Sequence, residues 1–347
     1  MKAKKKFRVA LIGTDSLRGK EIKNVLSVKR FPLTEIQFFD PAVEEEYSKL
    51  TQFADEPKVI TRPNADALSG LDLVFLSSDA ETNRTFGRLA AEKKYQAIDL
   101  TDTFSSEEDV PLIVAGVNDE ILREKDFPLI ANPHAVTIIL ASLLHRLAGK
   151  FEVSRAVAFV LQPVSAFDES GIEELAAQSA ALLTSSALKK KVFREQVAFN
   201  LLSPTESPDA NGFSSGERRI LAEIKRVLQR PDLPLSLSLV QAPVFHTYAI
   251  MLYLELTSSA GIADLVRLYR ESPLFKVGSR SAASPITAVS VAGKEPIFIG
   301  QIKKEETLPH AFWIWTITDN LTRGSALNAW EIAKILFQRR PQNRPPS

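Results

Sequence analysis

The turn Gly13-Thr14-Asp15-Ser16-Leu17-Arg18-Gly19 has the spacing that folds a strand-to-helix corner around the pyrophosphate of a dinucleotide. Glycine stands at its first and last places. Ser16 takes the middle one, where glycine normally lets the backbone approach phosphate, so a serine crowds that approach. A helix N-terminus there still offers N–H groups to an anion. Asp40 closes the next predicted strand, the place from which an acid holds a ribose 2′-hydroxyl, and Glu44, Glu45 and Glu46 follow it. Such an acidic field repels a 2′-phosphate, which favours NAD over NADP. Asp40 ahead of Pro41 also makes sense as a plain strand end and turn. The chain has no cysteine, which excludes disulfides, thiolate metal sites and every route through a thiol nucleophile. His134, His145, His246 and His310 show no metal-ligand spacing, so no metal site is expected, and there is no P-loop.

The elements that must position these residues follow from hydrophobic period. Phe7 to Gly13 is an apolar run of strand length, and Leu17 to Leu26 places Leu17, Ile22, Val25 and Leu26 at helical spacing. Glu35 to Asp40, Leu71 to Ser77, Gln96 to Asp99 and Leu112 to Val114 read as further strands, with Glu81 to Lys93 a helix among them. Strands alternating with helices predict a parallel sheet covered on both faces. Beyond Asn132 the texture changes: a helix over Val136 to Leu147, a β-rich run from Glu152 to Val164, and helices over Asp168 to Leu183, Gly216 to Leu228 and Ile262 to Arg270. Leu235 to Val240 and Val244 to Thr257 read as strands, which suggests an α+β domain on a largely antiparallel sheet. Ser203 to Ser215 reads as an exposed loop and Arg339 to Ser347 as a disordered tail.

At 347 residues the chain exceeds the ~250–300 at which single cores stop growing, so two domains are expected. Its net charge of +1 leaves no electrostatic footprint for nucleic acid, and Trp313, Trp315 and Trp330 read as packing residues. The longest apolar stretches, such as Ala311 to Ile317, fall short of the ~20 residues that span a bilayer. The lysine-rich start runs directly into a strand without a signal core, so the expected location is the cytoplasm, with no membrane partner.

Six segments together resemble the aspartate-semialdehyde dehydrogenase family over nearly the whole chain. They are Gly13 to Glu21, Ile98 to Asn118, Asn132 to Thr137, Gln162 to Leu175, Gln241 to Tyr248 and Asp319 to Ala329. The resemblance implies a Rossmann-type dinucleotide-binding domain over 1–133 completed by 320–338, and an α+β dimerisation domain over 134–319 that forms a homodimer. Members of the family reduce an aspartyl phosphate to the semialdehyde with a nicotinamide cofactor. They use a cysteine thiolate, a histidine that shuttles its proton, and arginines that hold carboxylate and phosphate.

Carried over residue by residue, that machinery is largely missing. The run Asn132-Pro133-His134 is followed by Ala135 where the nucleophile belongs, and Thr137 is an unactivated alcohol unless a base lies beside it. The family's Arg-x-Pro-Val-x-x-Gly-His strand matches Gln241-Ala-Pro-Val-Phe-His-Thr-Tyr248, which puts Tyr248 at the base and Gln241 at the carboxylate-binding arginine. A phenol with a reference pKa of about 10 is a poor base at neutral pH. His246 stands two residues earlier, on the same face of the expected strand, and is a candidate replacement. Ser105 occupies the arginine place of the Ala-Phe-Arg segment, so two charged clamps become neutral and affinity for an acyl phosphate should fall. The resemblance retains Gln162 for substrate orientation, Glu217 and Arg219 of a Glu-x-Lys helix, and Asn320 near the nicotinamide. Glu217, Arg219 and Glu223 also make sense as a solvated helix face with i,i+4 pairing.

The expectation is therefore an aspartate-semialdehyde dehydrogenase-like pseudoenzyme, a homodimer that binds NAD, NADP or another small anion in a binding or regulatory capacity. The rival is an NAD(P)-dependent oxidoreductase that transfers hydride directly to an aldehyde or ketone, with His246 or Tyr248 as proton donor.

Overall fold

A computed structural model describes residues 6–44, 47–204, 206–278 and 285–339. The lysines at positions 2, 4 and 5, Glu45, Glu46 and the tail beyond Arg339 lie outside the described residues. Two compact units emerge: the first holds the chain up to His134 together with the segment from Ser325, and the second spans Ala135–Gly324. The return to the first unit thus comes after Gly324, later than the 320 read from the sequence.

In the first unit, β1 (Phe7–Ile12), α1 (Leu17–Val28) and β2 (Leu33–Phe39) form the opening βαβ, followed by β3 (Lys49–Phe53), β4 (Glu56–Thr61) and β5 (Leu73–Leu76). Two short helices, α2 (Ala80–Arg88) and α3 (Ala90–Lys93), lead to β6 (Gln96–Asp99), and α4 (Ile121–Glu124) leads to β7 (Leu129–Ala131). The strand order is β3-β4-β2-β1-β5-β6-β7, parallel throughout except for the β3–β4 hairpin. β1 and β5 are buried on both faces, as strands in a doubly covered parallel sheet must be. Leu112 to Val114 makes only one isolated bridge, to Ala131, instead of a strand.

The second unit opens on α5 (Ala135–Ala148), apolar nearly all round and therefore central, then β8 (Val153–Gln162), α6 (Asp168–Leu183) and α7 (Ser215–Val227). β9 (Leu235–Gln241), β10 (Tyr248–Leu256), α8 (Ile262–Arg270), β11 (Phe275–Val277), α9 (Ala288–Val291), β12 (Ile297–Lys304) and β13 (Ala311–Thr318) complete it. The sheet order is β11-β12-β13-β10-β8-β9; the three central pairings are antiparallel and the two outer ones parallel. Strict alternation along β10 turns one face into a core shared with α5, α7 and α8 and leaves the other face half-buried. Finally α10 (Asn328–Arg339) returns to the first unit, where Ala329, Ile332, Ala333 and Leu336 enter its core. The architecture is α/β: a Rossmann-type, mostly parallel sheet plus an α+β unit on a mixed, largely antiparallel sheet.

Candidate functional site

In the first unit the corner between β1 and α1 has the shape of a dinucleotide turn. Gly13 sits at φ +85°, and a β-carbon on Gly19 would stand 2.1 Å from the Gly13 carbonyl oxygen, so both glycines are required by the backbone. Ser16 caps α1 by accepting from Gly19 N–H at 3.0 Å, while its Oγ lies 3.0 Å from both the Gly13 carbonyl and Ser77 Oγ. The hydroxyl is thus committed to the turn's own backbone and to Ser77. Asp40 is buried, and its carboxylate accepts from Asp15 N–H at 3.2 Å and Ala42 N–H at 3.0 Å, which makes it the anchor between β2 and the turn. Ser105 lies buried in the loop after β6, its Oγ donating to the Asp102 carbonyl at 3.3 Å. That loop is pinned by Asp99, whose carboxylate accepts from Thr101 N–H, Thr101 Oγ1 and Phe104 N–H at 2.9, 2.6 and 3.1 Å. Complete burial nevertheless pushes the Asp99 carboxyl up to about 7.

In the second unit three predicted site residues meet because of sheet topology. Parallel β8 and β9 end side by side on Gln162 and Gln241, and antiparallel β10 begins at the same end on Tyr248. Tyr248 Oη donates to Gln162 Oε1 at 3.2 Å, and Gln162 Nε2 donates to Gln241 Oε1 at 3.2 Å. Gln241 Nε2 then donates to the carbonyls of Gln162 and Ala242, both at 3.0 Å. Tyr248 and Gln241 are 1% and 7% exposed, so this chain of neutral groups closes on backbone inside the protein.

The remaining residues depart from expectation in several ways. His246 does not share a strand face with Tyr248, because residues 242–247 form an irregular bend and β10 starts only at Tyr248. Its Nδ1 is buried and makes no hydrogen bond. Asn320 is buried in the second unit and spends its amide there: Oδ1 accepts from Thr247 N–H at 3.0 Å, and Nδ2 donates to Ser165 Oγ at 3.1 Å. Glu217, Arg219 and Glu223 are not a solvated face. Glu217 and Glu223 are 5% and 3% exposed, since α7 packs that side against α5 and β9. Glu217 closes a capping box with Ser214 and accepts from Leu239 N–H at 2.8 Å. Glu223 accepts from Thr137 Oγ1 at 2.7 Å and lies 4.0 Å from Arg219 Nε, the i,i+4 pair expected. A base does stand beside Thr137, but the hydroxyl is fully buried. Ala135 opens α5 in such close contact with Gly324 that a β-carbon there would lie 2.8 Å from the alanine methyl. Ser165, Ser77 and Asp99 were not singled out from the sequence; a lone serine or aspartate in a loop carries no periodic or spacing signal.

The family model for the semialdehyde dehydrogenase NAD binding domain matches residues 8–125, and that for the semialdehyde dehydrogenase dimerisation domain matches residues 144–323. The chain belongs to the semialdehyde dehydrogenase family. The aspartate-semialdehyde dehydrogenase of Shewanella sp. (strain DB6705) is 26% identical over 333 residues, covering 96% of this chain and 98% of the relative. That of Rickettsia bellii (strain RML369-C) is 27% identical over 338 residues, with the same coverage of each. The crystal structure of aspartate semialdehyde dehydrogenase II from Vibrio cholerae complexed with ASA superposes with a TM-score of 0.90 at 25% identity, covering 96% of this chain and 99% of that one. Within the semialdehyde dehydrogenase family, then, this chain carries both the NAD(P)-binding domain and the dimerisation domain. Among its described residues no helix is long and apolar enough to cross a membrane.

Proposed function

We propose that this protein is a homodimeric, dinucleotide-binding member of the family that does not carry out the reductive dephosphorylation of an aspartyl phosphate. The observation that carries this reading is the closed relay from Tyr248 through Gln162 to Gln241. Where an anionic substrate needs cationic clamps and a base, the second unit holds neutral groups that satisfy one another. An acyl phosphate entering here would have to break those bonds and would meet no charge in return. Arg219 offers little, because the Glu223 carboxylate already lies 4.0 Å from its Nε. Ala135 supplies no nucleophile.

The glycine-framed turn fits the pyrophosphate of NAD, with the Asp40 anchor beside it. A bound nicotinamide would supply a hydride acceptor or donor. The residues of this chain would bind and orient the dinucleotide through Gly13, Ser16 and Gly19, and NAD is favoured over NADP. Direct hydride transfer to an aldehyde or ketone is not favoured: the Tyr248 hydroxyl is buried and engaged, and His246 lies off the strand.

The open sheet face supports the homodimer. Trp315, Met251 and Phe159 lie in one cross-strand row, and Trp313, Tyr253 and Val157 in the next. Gln301 and Ser238 flank the first row, Lys303 and Ser236 the second. An apolar centre with a polar rim is the anatomy of an interface.

The test is phosphate-dependent oxidation of aspartate semialdehyde with NAD or NADP. No turnover is expected, either in the natural protein or in Ala135→Cys, since Gln241, Ser105 and Tyr248 remain. Substantial activity in either protein, or an acyl adduct detected by mass spectrometry, overturns the reading.

A further inference from the structure

An ion pair reaches across the dinucleotide turn. Asp15, the third residue of the turn, holds its carboxylate against the ammonium of Lys49, the first residue of β3. The sheet dictates this meeting: Lys49 pairs with Ile60 of β4, and Ile60 lies beside Phe38 of β2, so the hairpin delivers Lys49 to the end of the sheet where Asp40 stands. Asp40 in turn fixes the backbone of Asp15 through its N–H. Lys49 also lines an open cavity of about 470 Å³ with Ala42, Val43, Glu44, Tyr47 and Ser48, directly after Asp40. Lys49 is the cation among those lining residues, and Asp15 already occupies it. The side chains of Asp15 and Lys49 are 37% and 60% exposed, so the pair is weak and displaceable.

We propose that Asp15 competes with the phosphate of a bound dinucleotide for Lys49, and that this pair sets the choice between NAD and NADP. The inference rests on the dinucleotide-binding reading above. The second-strand acid marks where the ribose 2′ position lies, and the cavity beside it is where a 2′-phosphate would meet Lys49. NAD leaves the Asp15–Lys49 pair intact. NADP has to break it and then faces the freed Asp15 carboxylate as a like charge. Asp15 is thus a specificity-determining residue that acts by holding a cation away from phosphate.

The experiment titrates NAD and NADP into the full-length protein, Asp15→Asn, Lys49→Met and the double variant, by calorimetry at low salt, with circular dichroism and thermal melting confirming the fold of each. In Asp15→Asn, NADP should bind roughly fivefold tighter while NAD changes little, the size expected when one weak pair gives way to a charge-assisted contact. Lys49→Met should weaken NADP selectively, and the double variant should lose the gain of Asp15→Asn. If the natural protein binds NAD but the ratio of NADP to NAD affinity is the same in all four proteins, this proposal fails and the binding reading stands. If no protein binds either dinucleotide at millimolar concentration, the binding reading itself fails, and this proposal with it.

Discussion

Thr247 is held at φ +79°, a left-handed conformation that a β-branched side chain adopts only under constraint. Glycine is the residue that adopts such a φ without steric cost. The constraint is visible: Asn320 accepts from the Thr247 N–H, and Tyr248 enters the sheet immediately after. Thr247 Oγ1 is also buried without a hydrogen bond. Strain and an unsatisfied hydroxyl both disappear in Thr247→Gly, which should therefore stabilise the protein by about 1–3 kcal/mol despite the added chain entropy. A denaturation midpoint that is unchanged or lower in that variant would contradict the strain argument.

Asp99 gives a second prediction at this scale. Its folded carboxyl value of about 7 lies above the unfolded value near 3.9, so the folded state binds more protons between them. The contribution is fully present below the unfolded value and is lost as pH rises through about 7. Stability of the natural protein should fall between pH 4.5 and pH 7.5 more steeply than that of Asp99→Asn, and parallel melting-temperature profiles for the two would refute it. The histidines are common to both proteins and cancel in the comparison.

Among the elements, α6 shows how a helix organises a segment that has no regular structure of its own. Glu174 accepts from the N–H groups of Lys191, Val192 and Phe193 at 2.8, 2.7 and 3.2 Å. One turn later, Gln178 accepts from Val197 and Ala198 and donates to the carbonyls of Lys189 and Glu195. These contacts carry Phe193 and Val197 into a small core with Val164 and Leu175. Glu174→Ala strands three N–H groups, so a loss of roughly 2–4 kcal/mol is expected. Hydrogen exchange at 191–193 should accelerate while the β8–β10 amides stay protected. Uniform acceleration would mean that the loop does not open as a local unit.

For the whole molecule, the half-buried rows across β13, β10 and β8 need a cover. Phe159 and Val157 are 45% and 40% exposed on β8, inside the β9 edge strand, where an isolated protein rarely leaves contiguous apolar surface. Phe159→Glu combined with Met251→Glu should convert a dimer to a monomer, read by light scattering, with the helix-covered core intact by circular dichroism. A natural protein already monomeric at micromolar concentration would remove the dimer reading.

Strands β1, β2, β5, β6, β8, β9 and β10 and the helices α1, α5, α6, α7 and α8 were legible in the sequence because each is a local hydrophobic period, whereas β7, β11, β12 and β13 were not read as strands. The edge hairpin β3–β4 was not legible either, since Lys49–Phe53 and Glu56–Thr61 are largely exposed and carry too few apolar residues to mark a period. At the site, the absence of cysteine and the identities Ala135, Gln241 and Tyr248 are facts of the chain in any fold, and they alone exclude thiol chemistry. What those residues do instead depended on partners far away in sequence. Glu223 reads as a surface acid until α5 brings Thr137 to it. Asn320 has no partner legible in the sequence, and only the fold brings Ser165 and Thr247 to its amide. His246 reads as a strand residue until the bend before Tyr248 takes it off the face. Local period and residue chemistry are properties of short stretches, whereas burial and hydrogen-bond pairing are settled only when distant elements pack, and that packing is what closed the relay from Tyr248 to Gln241.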